Sequence, residues 1–154
     1  MTTPQQVKLQ AWLCIINGAK GLHWYPYQGA PTPANYAAMA AVVSDTTALT
    51  DVILSPELSD LSTSDQTGNI FATARTMGGN LYVFVANTAK VANTCQFNTP
   101  QIRAGQQVQL YPNGRKFTAN SGSFTDTVPA EGVQIYLVKS GASQQPSNLR
   151  IIKE

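Results

Sequence analysis

The sequence predicts a mainly β protein, an antiparallel β-sandwich of seven to eight strands preceded by a helix–strand–helix unit. In the first 54 residues, two stretches carry helix start signals and apolar residues at helical spacing, and a short aromatic run separates them. From about residue 69 the apolar residues recur with a period of two, and turns containing glycine or asparagine interrupt the chain at short intervals. Short strands joined by close turns are typical of an antiparallel sandwich.

The first element is predicted to be a helix from about Pro4 to Asn17. Thr3 offers an N-cap hydroxyl, Pro4 takes the first helical position and Gln6 completes a capping box. Gly18 then ends the helix as a left-handed terminator. The apolar residues of this helix extend beyond one face, which predicts burial on more than one side.

An aromatic strand is predicted after this helix, over Leu22-His23-Trp24-Tyr25-Pro26-Tyr27, because aromatic residues favour strands and Pro26 closes the run. A second helix is predicted from Thr32-Pro33 to Ile53, with a break near Thr46-Thr47. This order of helix, strand and helix is that of an α/β unit.

The second half of the chain predicts seven strands, near residues 69–76, 80–88, 91–98, 106–111, 115–118, 123–128 and 132–139. The resulting domain organisation has four parts. Residues 1–54 form the helix–strand–helix unit, 55–68 a linker rich in Ser, Thr and Asp, 69–140 the sandwich and 141–154 a tail.

The composition limits the classes of partner. Charged residues make up 12% of the chain and the formal net charge is +2, with basic residues scattered singly apart from Arg115-Lys116. No basic stripe can neutralise a run of phosphates, so nucleic acid is not an expected partner, and no apolar run approaches the length that would predict a membrane partner. The low-charge surface, rich in Thr, Asn and Gln, favours an extracellular or envelope-associated protein, although the chain has no convincing signal peptide.

Neither a cofactor nor a metal is predicted. Cys14 and Cys95 lie in different elements without a spacing that could hold a metal, and both are predicted to be buried, unpaired thiols. The loop from Asp60 to Asp65 lacks the Asp-x-Asp spacing of a strong calcium site.

The sequence resembles a known family in two places. The stretch Thr3–Tyr25, in which Gly18-Ala19-Lys20-Gly21 precedes the aromatic strand, resembles the end of the α/β barrel in retaining glycoside hydrolases of the β-galactosidase-like clan. Residues 79–87 and 128–138 resemble strands of the sandwich that commonly follows such barrels. The resemblance implies that the chain is the C-terminal part of a barrel-type enzyme, comprising the last barrel helix and strand together with the sandwich.

The acidic residues argue against activity of the chain alone. Retaining glycoside hydrolysis needs two carboxyl groups about 5 Å apart, and the resemblance implies that these stand on barrel strands upstream of Met1. No Asp or Glu occurs in residues 1–44 or 66–125. The pairs Asp60/Asp65 and Asp126/Glu131 lie in turn-like segments, where carboxylates usually bond the backbone. We therefore expect a non-catalytic portion that supports or completes a carbohydrate-active barrel.

Four residues of the aromatic run are candidate substrate-binding residues: Trp24, His23, Tyr25 and Tyr27. The resemblance implies that Trp24 forms the floor of a sugar subsite, where a flat ring stacks on the apolar face of a pyranose. The structural alternative is that Trp24 packs in a core or between domains. His23 has no nearby Ser, Cys or acidic partner for a triad, so a hydrogen-bonded structural histidine is the alternative there.

Two other functions stay open. One is a stand-alone carbohydrate-binding sandwich, in which alternating aromatic residues line a glycan-binding face, although the same alternation is expected of the inward face of a sheet. These residues are Tyr82, Phe84, Tyr111, Phe117, Phe124 and Tyr136. The other is a structural sandwich of a phage or envelope particle.

The first helix also predicts a partner. Taken alone, it would expose apolar surface that the rest of a barrel normally covers, and large exposed patches drive association. Self-association or binding of a barrel domain through the N-terminal helices is therefore expected. A cleanly monomeric chain would count against this, unless the helices fold back on the sandwich.

Overall fold

A computed structural model describes residues 2–24 and 32–139. In these residues the chain forms three helices followed by eight strands. The helices are α1 (Pro4–Ile16), α2 (Pro33–Ala48) and α3 (Thr50–Leu54). The strands are β1 (Ser62–Thr63), β2 (Ile70–Met77), β3 (Asn80–Asn87), β4 (Asn93–Asn98), β5 (Gln107–Leu110), β6 (Lys116–Thr118), β7 (Ser123–Val128) and β8 (Val133–Val138).

The strands form two antiparallel sheets, which confirms the predicted sandwich. One sheet has the order β2-β3-β8-β5-β6 and the other the order β1-β4-β7. The core between them includes Val83 and Val85 of β3, Phe97 of β4 and Tyr136 of β8. Each of the seven predicted strands is present, with bounds that differ from the prediction by at most two residues at either end.

The five-stranded sheet is buried on both faces. Val83 and Val85 point into the sandwich core, whereas Phe84 and Ala86 between them contact the helices. Trp12 of α1 stacks on Phe84 with 5.7 Å between ring centroids. The predicted burial of α1 on more than one side is met within the chain, because β3 covers one side of α1 and α2 packs beside it. The helices therefore fold back on the sandwich.

The ends of α1 are as predicted. Gln6 donates its backbone N–H to Thr3 Oγ1 (3.2 Å), and Thr3 donates its own to Gln6 Oε1 (3.1 Å), so the capping box is complete. Gly18 follows α1 with φ +96°, a left-handed conformation that glycine adopts without steric cost.

The break in the second helical stretch falls at Leu49, later than the predicted Thr46-Thr47. The Thr46 hydroxyl donates to the Val42 carbonyl within α2 (2.8 Å), so this threonine is accommodated inside the helix. The buried side chain of Leu49 packs in the helical core at the break.

A buried arginine links α3 to the sheet. Arg75 of β2 is almost fully buried, and its Nη1 donates to the carbonyl of Ser55, directly after α3. Its Nη2 lies 3.9 Å from a Glu57 carboxylate oxygen. A charged donor at a helix C-terminus satisfies a carbonyl that the helix leaves unpaired.

Three details of the prediction change. Residues 22–24 of the predicted aromatic strand belong to no strand, and residues 25–27 lie outside the described residues. The predicted linker 55–68 contains β1, in which Ser62 pairs with Asn98, and Leu58 packs on the sandwich core. Cys95 is buried as expected, but Cys14 is exposed, because on α1 it points away from the face that carries Trp12. The four-part division of the chain stays a prediction.

Candidate functional sites

A groove lies where the segment after α1 meets α2 and α3, and we name it the Trp24 groove. Its volume is about 200 Å³. It is lined by Ile15, Lys20, Gly21, Leu22, Trp24, Val43, Thr46, Thr47, Thr50, Ile53 and Leu54. Large apolar residues therefore make up just over half of its lining.

Hydrogen bonds and packing contacts hold the segment after α1, which forms one wall of the Trp24 groove, against α1 and α3. Ala19 donates its backbone N–H to the Cys14 carbonyl (2.9 Å), which closes the end of α1. Lys20 Nζ then donates to the Ile53 carbonyl (3.0 Å), near the end of α3. Leu22 and Trp24 pack against the helical core. The ammonium group of Lys20 is thus used in structure, at a helix end where a cation is favourable.

The structure separates the four candidate substrate-binding residues. Trp24 is half-buried and lines the groove, while His23 is exposed and does not line it. Tyr25 and Tyr27 lie outside the described residues. This position agrees with both hypotheses for Trp24, sugar stacking and structural packing, because Trp24 packs against the helical core and also lines the groove. The substrate-binding role stays a prediction.

Asp65 has a structural role in its loop. Its carboxylate accepts hydrogen bonds from the backbone N–H groups of Thr67 (3.1 Å), Asn69 (2.9 Å) and Ile70 (2.9 Å), and from the Asn93 side chain (3.1 Å). Burial would raise the pKa of Asp65, but these bonds and that of the Thr67 hydroxyl outweigh it and hold the pKa far below the ordinary value. A carboxyl group so strongly held in its ionised form is unsuited to donate protons.

Asp126 belongs to a polar network in which Asp126 and Tyr136 are buried while Arg115 is exposed. It forms an ion pair with Arg115, and one carboxylate oxygen lies 3.0 Å from the Tyr136 hydroxyl, which also contacts Gln134 Oε1. The hydrogen bond from Arg115 to Asp126 raises the pKa of the guanidinium group. Burial, together with the neighbouring Asp126 charge, raises the pKa of Tyr136. The tyrosine therefore stays protonated and can donate to the carboxylate.

The remaining members of the two acidic pairs also bond elsewhere. Glu131 accepts a hydrogen bond from the Gln6 side chain (3.1 Å), and Asp60 accepts one from the Thr99 hydroxyl (3.0 Å). Each of the four carboxylates is thus held by its own neighbours. The prediction that Asp126 lies in a turn-like segment is wrong, because Asp126 belongs to β7 and pairs with Cys95 of β4. In residues 2–24 and 32–139, no cluster of three or more His, Cys, Asp or Glu side chains is placed to hold a metal.

The aromatic residues of the sandwich are mostly core residues. Phe97, Phe124 and Tyr136 are buried and pack together with half-buried Phe117, at centroid distances of 4.8 to 6.4 Å. Phe84 is buried against the helices. For Phe84, Phe117, Phe124 and Tyr136 the alternation seen in the sequence is therefore that of a packed face. Tyr82 and Tyr111 are half-buried beside the helical core instead. None of the helices in the described part of the chain combines the length and apolar character needed to cross a membrane.

A second groove was not predicted from the sequence, and we name it the Tyr111 groove. It has a volume of about 370 Å³ and lies between α1, α2, the end of β5 and the start of β8. Its lining includes Lys8, Trp12, Asp45, Tyr111, Glu131 and Gln134. These residues come from four separate parts of the chain, so no local pattern in the sequence could have brought them together.

The fold is found in known glycoside hydrolases. An α-amylase from Geobacillus thermoleovorans, solved in complex with acarbose, matches 90% of this chain with 34% of its own, at a TM-score of 0.64 and 9% identity. Alpha-galactosidase I from Mortierella vinacea matches 91% with 36% of its own chain, at a TM-score of 0.57 and 12% identity. An α-amylase from Anoxybacillus matches 89% with 33% of its own chain, at a TM-score of 0.57 and 14% identity.

These comparisons define the class of fold and no more. The chain spans about a third of the length of the solved structures that it matches. At such low identity the likeness establishes a glycoside-hydrolase-like fold, which confirms the resemblance at that level. No protein-family model matches this sequence, and no curated protein matches it.

Proposed function

We propose that this chain is a non-catalytic portion of a glycoside-hydrolase-like protein, which supports or completes a carbohydrate-active barrel. The observation that carries the proposal is the outer surface of the helical layer. Tyr36, Val43 and Leu54 are exposed by 55%, 50% and 56% there. We call this surface the outer helix face.

The exposed residues of this surface share one side of the helices. Tyr36 and Val43 are seven residues apart on α2, which places them nearly above one another. Val43 and Leu54 line the same Trp24 groove. Isolated exposed apolar residues need no explanation, but an apolar face beside an apolar groove favours a binding surface.

The two sides of the helical layer suggest what covers the outer helix face. The inner side already packs on the five-stranded sheet through Trp12 and Phe84. In an enzyme that joins a barrel to a sandwich, a helical layer with two apolar sides can pack between them. The matched enzymes contain about twice as much additional chain, and a barrel domain supplied by such chain is the partner that we propose.

The carboxylates support a non-catalytic role. Asp65 and Asp126 are each engaged by several hydrogen-bonding partners, so neither is available as the nucleophile or proton donor of glycoside hydrolysis. We expect no hydrolysis of p-nitrophenyl glycosides by the chain alone. Turnover that persists when the chain is produced in a second expression host, and so is not due to a contaminating host enzyme, would contradict this part of the proposal.

The outer helix face is tested with the double substitution Val43→Lys and Leu54→Lys. Size-exclusion chromatography with light scattering should show self-association and hydrophobic-dye binding for the unmodified chain, and a dye-silent monomer for the variant. Val91→Lys is the matched control, because Val91 is 68% exposed but lies in the turn between β3 and β4. An unmodified chain that is itself a dye-silent monomer would overturn the proposed docking of a barrel.

A further inference from the structure

We propose that the Tyr111 groove binds one sugar unit of a neutral glycan, with the Tyr111 ring stacking on the sugar and Lys8, Asp45 and Gln134 bonding its hydroxyl groups. This site is distinct from the Trp24 groove. It rests on the proposed carbohydrate role only for the choice of glycans as probes.

The walls of the Tyr111 groove are joined by direct bonds. The Gln5 side-chain nitrogen of α1 donates to the Ala130 carbonyl (2.6 Å) and the Glu131 carbonyl (3.2 Å), in the turn between β7 and β8. Tyr111 donates its backbone N–H to the Ile135 carbonyl (2.8 Å), which fixes the opposite wall on β8. The backbone of the groove is therefore held in place, so the ordering cost of binding falls mainly on exposed side chains such as Lys8 and Asp45.

Four polar groups in the lining have no partner among the described residues. They are the Lys8 ammonium, the Asp45 carboxylate, the Tyr111 hydroxyl and the Gln134 amide nitrogen. This set combines donors and acceptors. A ligand with several hydroxyl groups, each able to donate and accept, can satisfy both kinds.

The apolar part of the lining narrows the class of ligand. The half-buried Tyr111 ring, the adjacent Pro112 and Trp12 supply apolar surface to the lining. Pockets that combine such a surface with a few converging polar groups are typical ligand sites, and a volume of about 370 Å³ is in their range. A pyranose has one apolar face and a rim of hydroxyl groups, which matches this arrangement.

The mixed charges of the lining favour a neutral ligand over one that carries a net charge. An anion would meet the carboxylates of Asp45 and Glu131, while a cation would meet the ammonium of Lys8. All three charged groups line the same groove, so a ligand with a net charge of either sign meets a like charge there. A neutral ligand avoids both penalties.

The chain can be tested with soluble starch and galactomannan, by affinity electrophoresis and by fluorescence titration. The chain has two tryptophans, so Trp24→Phe leaves Trp12 at the edge of the Tyr111 groove as the single reporter. We expect saturable retardation by one of the two polysaccharides and a saturable change in Trp12 emission.

Two substitutions locate the site. Tyr111→Ala and Asp45→Ala should each weaken binding at least about tenfold, whereas Tyr36→Ala, an exposed tyrosine outside the groove, should leave it unchanged. Asp45 is exposed on α2, so its variant decides the matter if Tyr111→Ala does not fold by circular dichroism.

Three results would overturn the inference. The first is no retardation by either polysaccharide, and the second is unchanged binding in the double variant Asp45→Ala/Tyr111→Ala. The third is loss of binding in Trp24→Phe. None of these alters the dye and light-scattering result at the outer helix face. The failure of the sugar site is therefore distinguishable from the failure of the proposed barrel support.

Discussion

Truncation of Trp12 tests whether the helical layer and the sandwich fold as one cooperative unit. Trp12 is only 3% exposed and stacks on Phe84 across the boundary between α1 and β3. A tryptophan buries about 150–250 Å², and at about 25 cal/mol per Å² this corresponds to about 4–6 kcal/mol for the whole side chain. Since alanine keeps part of this contribution, we expect Trp12→Ala to lower the free energy of unfolding by about 3–5 kcal/mol.

The assay is urea unfolding followed by far-UV circular dichroism, which does not depend on the fluorophore that the substitution removes. Cys14→Ala is the control, because Cys14 lies on the exposed side of the same helix and should change the free energy by at most about 0.5 kcal/mol. A loss below about 1 kcal/mol for Trp12→Ala would refute the reasoning, since the loss of a docked ring cannot cost so little. Helices that melt separately from the strands in the unmodified chain would also refute it.

Two further predictions concern polar groups. The folded pKa of Asp65 lies below its unfolded value near 3.8, so the ionised Asp65 contributes stability that is present above that value and lost as the pH falls through the folded pKa. Urea unfolding should therefore find Asp65→Asn less stable than the unmodified chain at pH 7 and pH 5, with a difference in free energy that narrows below about pH 4. A difference that does not depend on pH would contradict this reasoning. Tyr136→Phe removes a buried hydroxyl that bonds Asp126, so the midpoint of thermal unfolding should fall by an amount equivalent to about 1–3 kcal/mol, while Tyr36→Phe, exposed on α2, should leave it unchanged.

The local signals in the sequence predicted most of the fold. The capping box of Thr3 and Gln6 and the left-handed Gly18 are short-range features, so the residues alone locate α1. The strands are likewise readable, because alternating burial has a period of two and close turns require glycine or asparagine.

Long-range packing accounts for what the sequence did not predict. The aromatic residues near Trp24 favour a strand by local preference, but Leu22 and Trp24 instead pack beside the helices, where side-chain burial prevails over that preference. The exposure of Cys14 depends on which side of α1 meets β3, and the helix is apolar almost all round. The pairing of β1 with β4 joins residues more than thirty positions apart in a segment without strand character.

The two candidate grooves also differ in whether local sequence signals could predict them. Trp24 could be singled out from its aromatic neighbours, and it does line a groove. The Tyr111 groove could not be found, since Lys8 and Asp45 are ordinary surface residues in helix patterns and become neighbours of Tyr111 only through the docking of helices on the sheet.

The double burial of the five-stranded sheet has a consequence for inheritance. A genetic exchange that transferred the sandwich without the first 54 residues would leave Phe84, Ala86 and Ile135 facing water on one side of the sheet. The transferred domain would expose an apolar surface that promotes aggregation, and selection would act against it. We therefore expect the helices and the sandwich to be exchanged between genes as one piece, with recombination points before α1 rather than between α3 and β2.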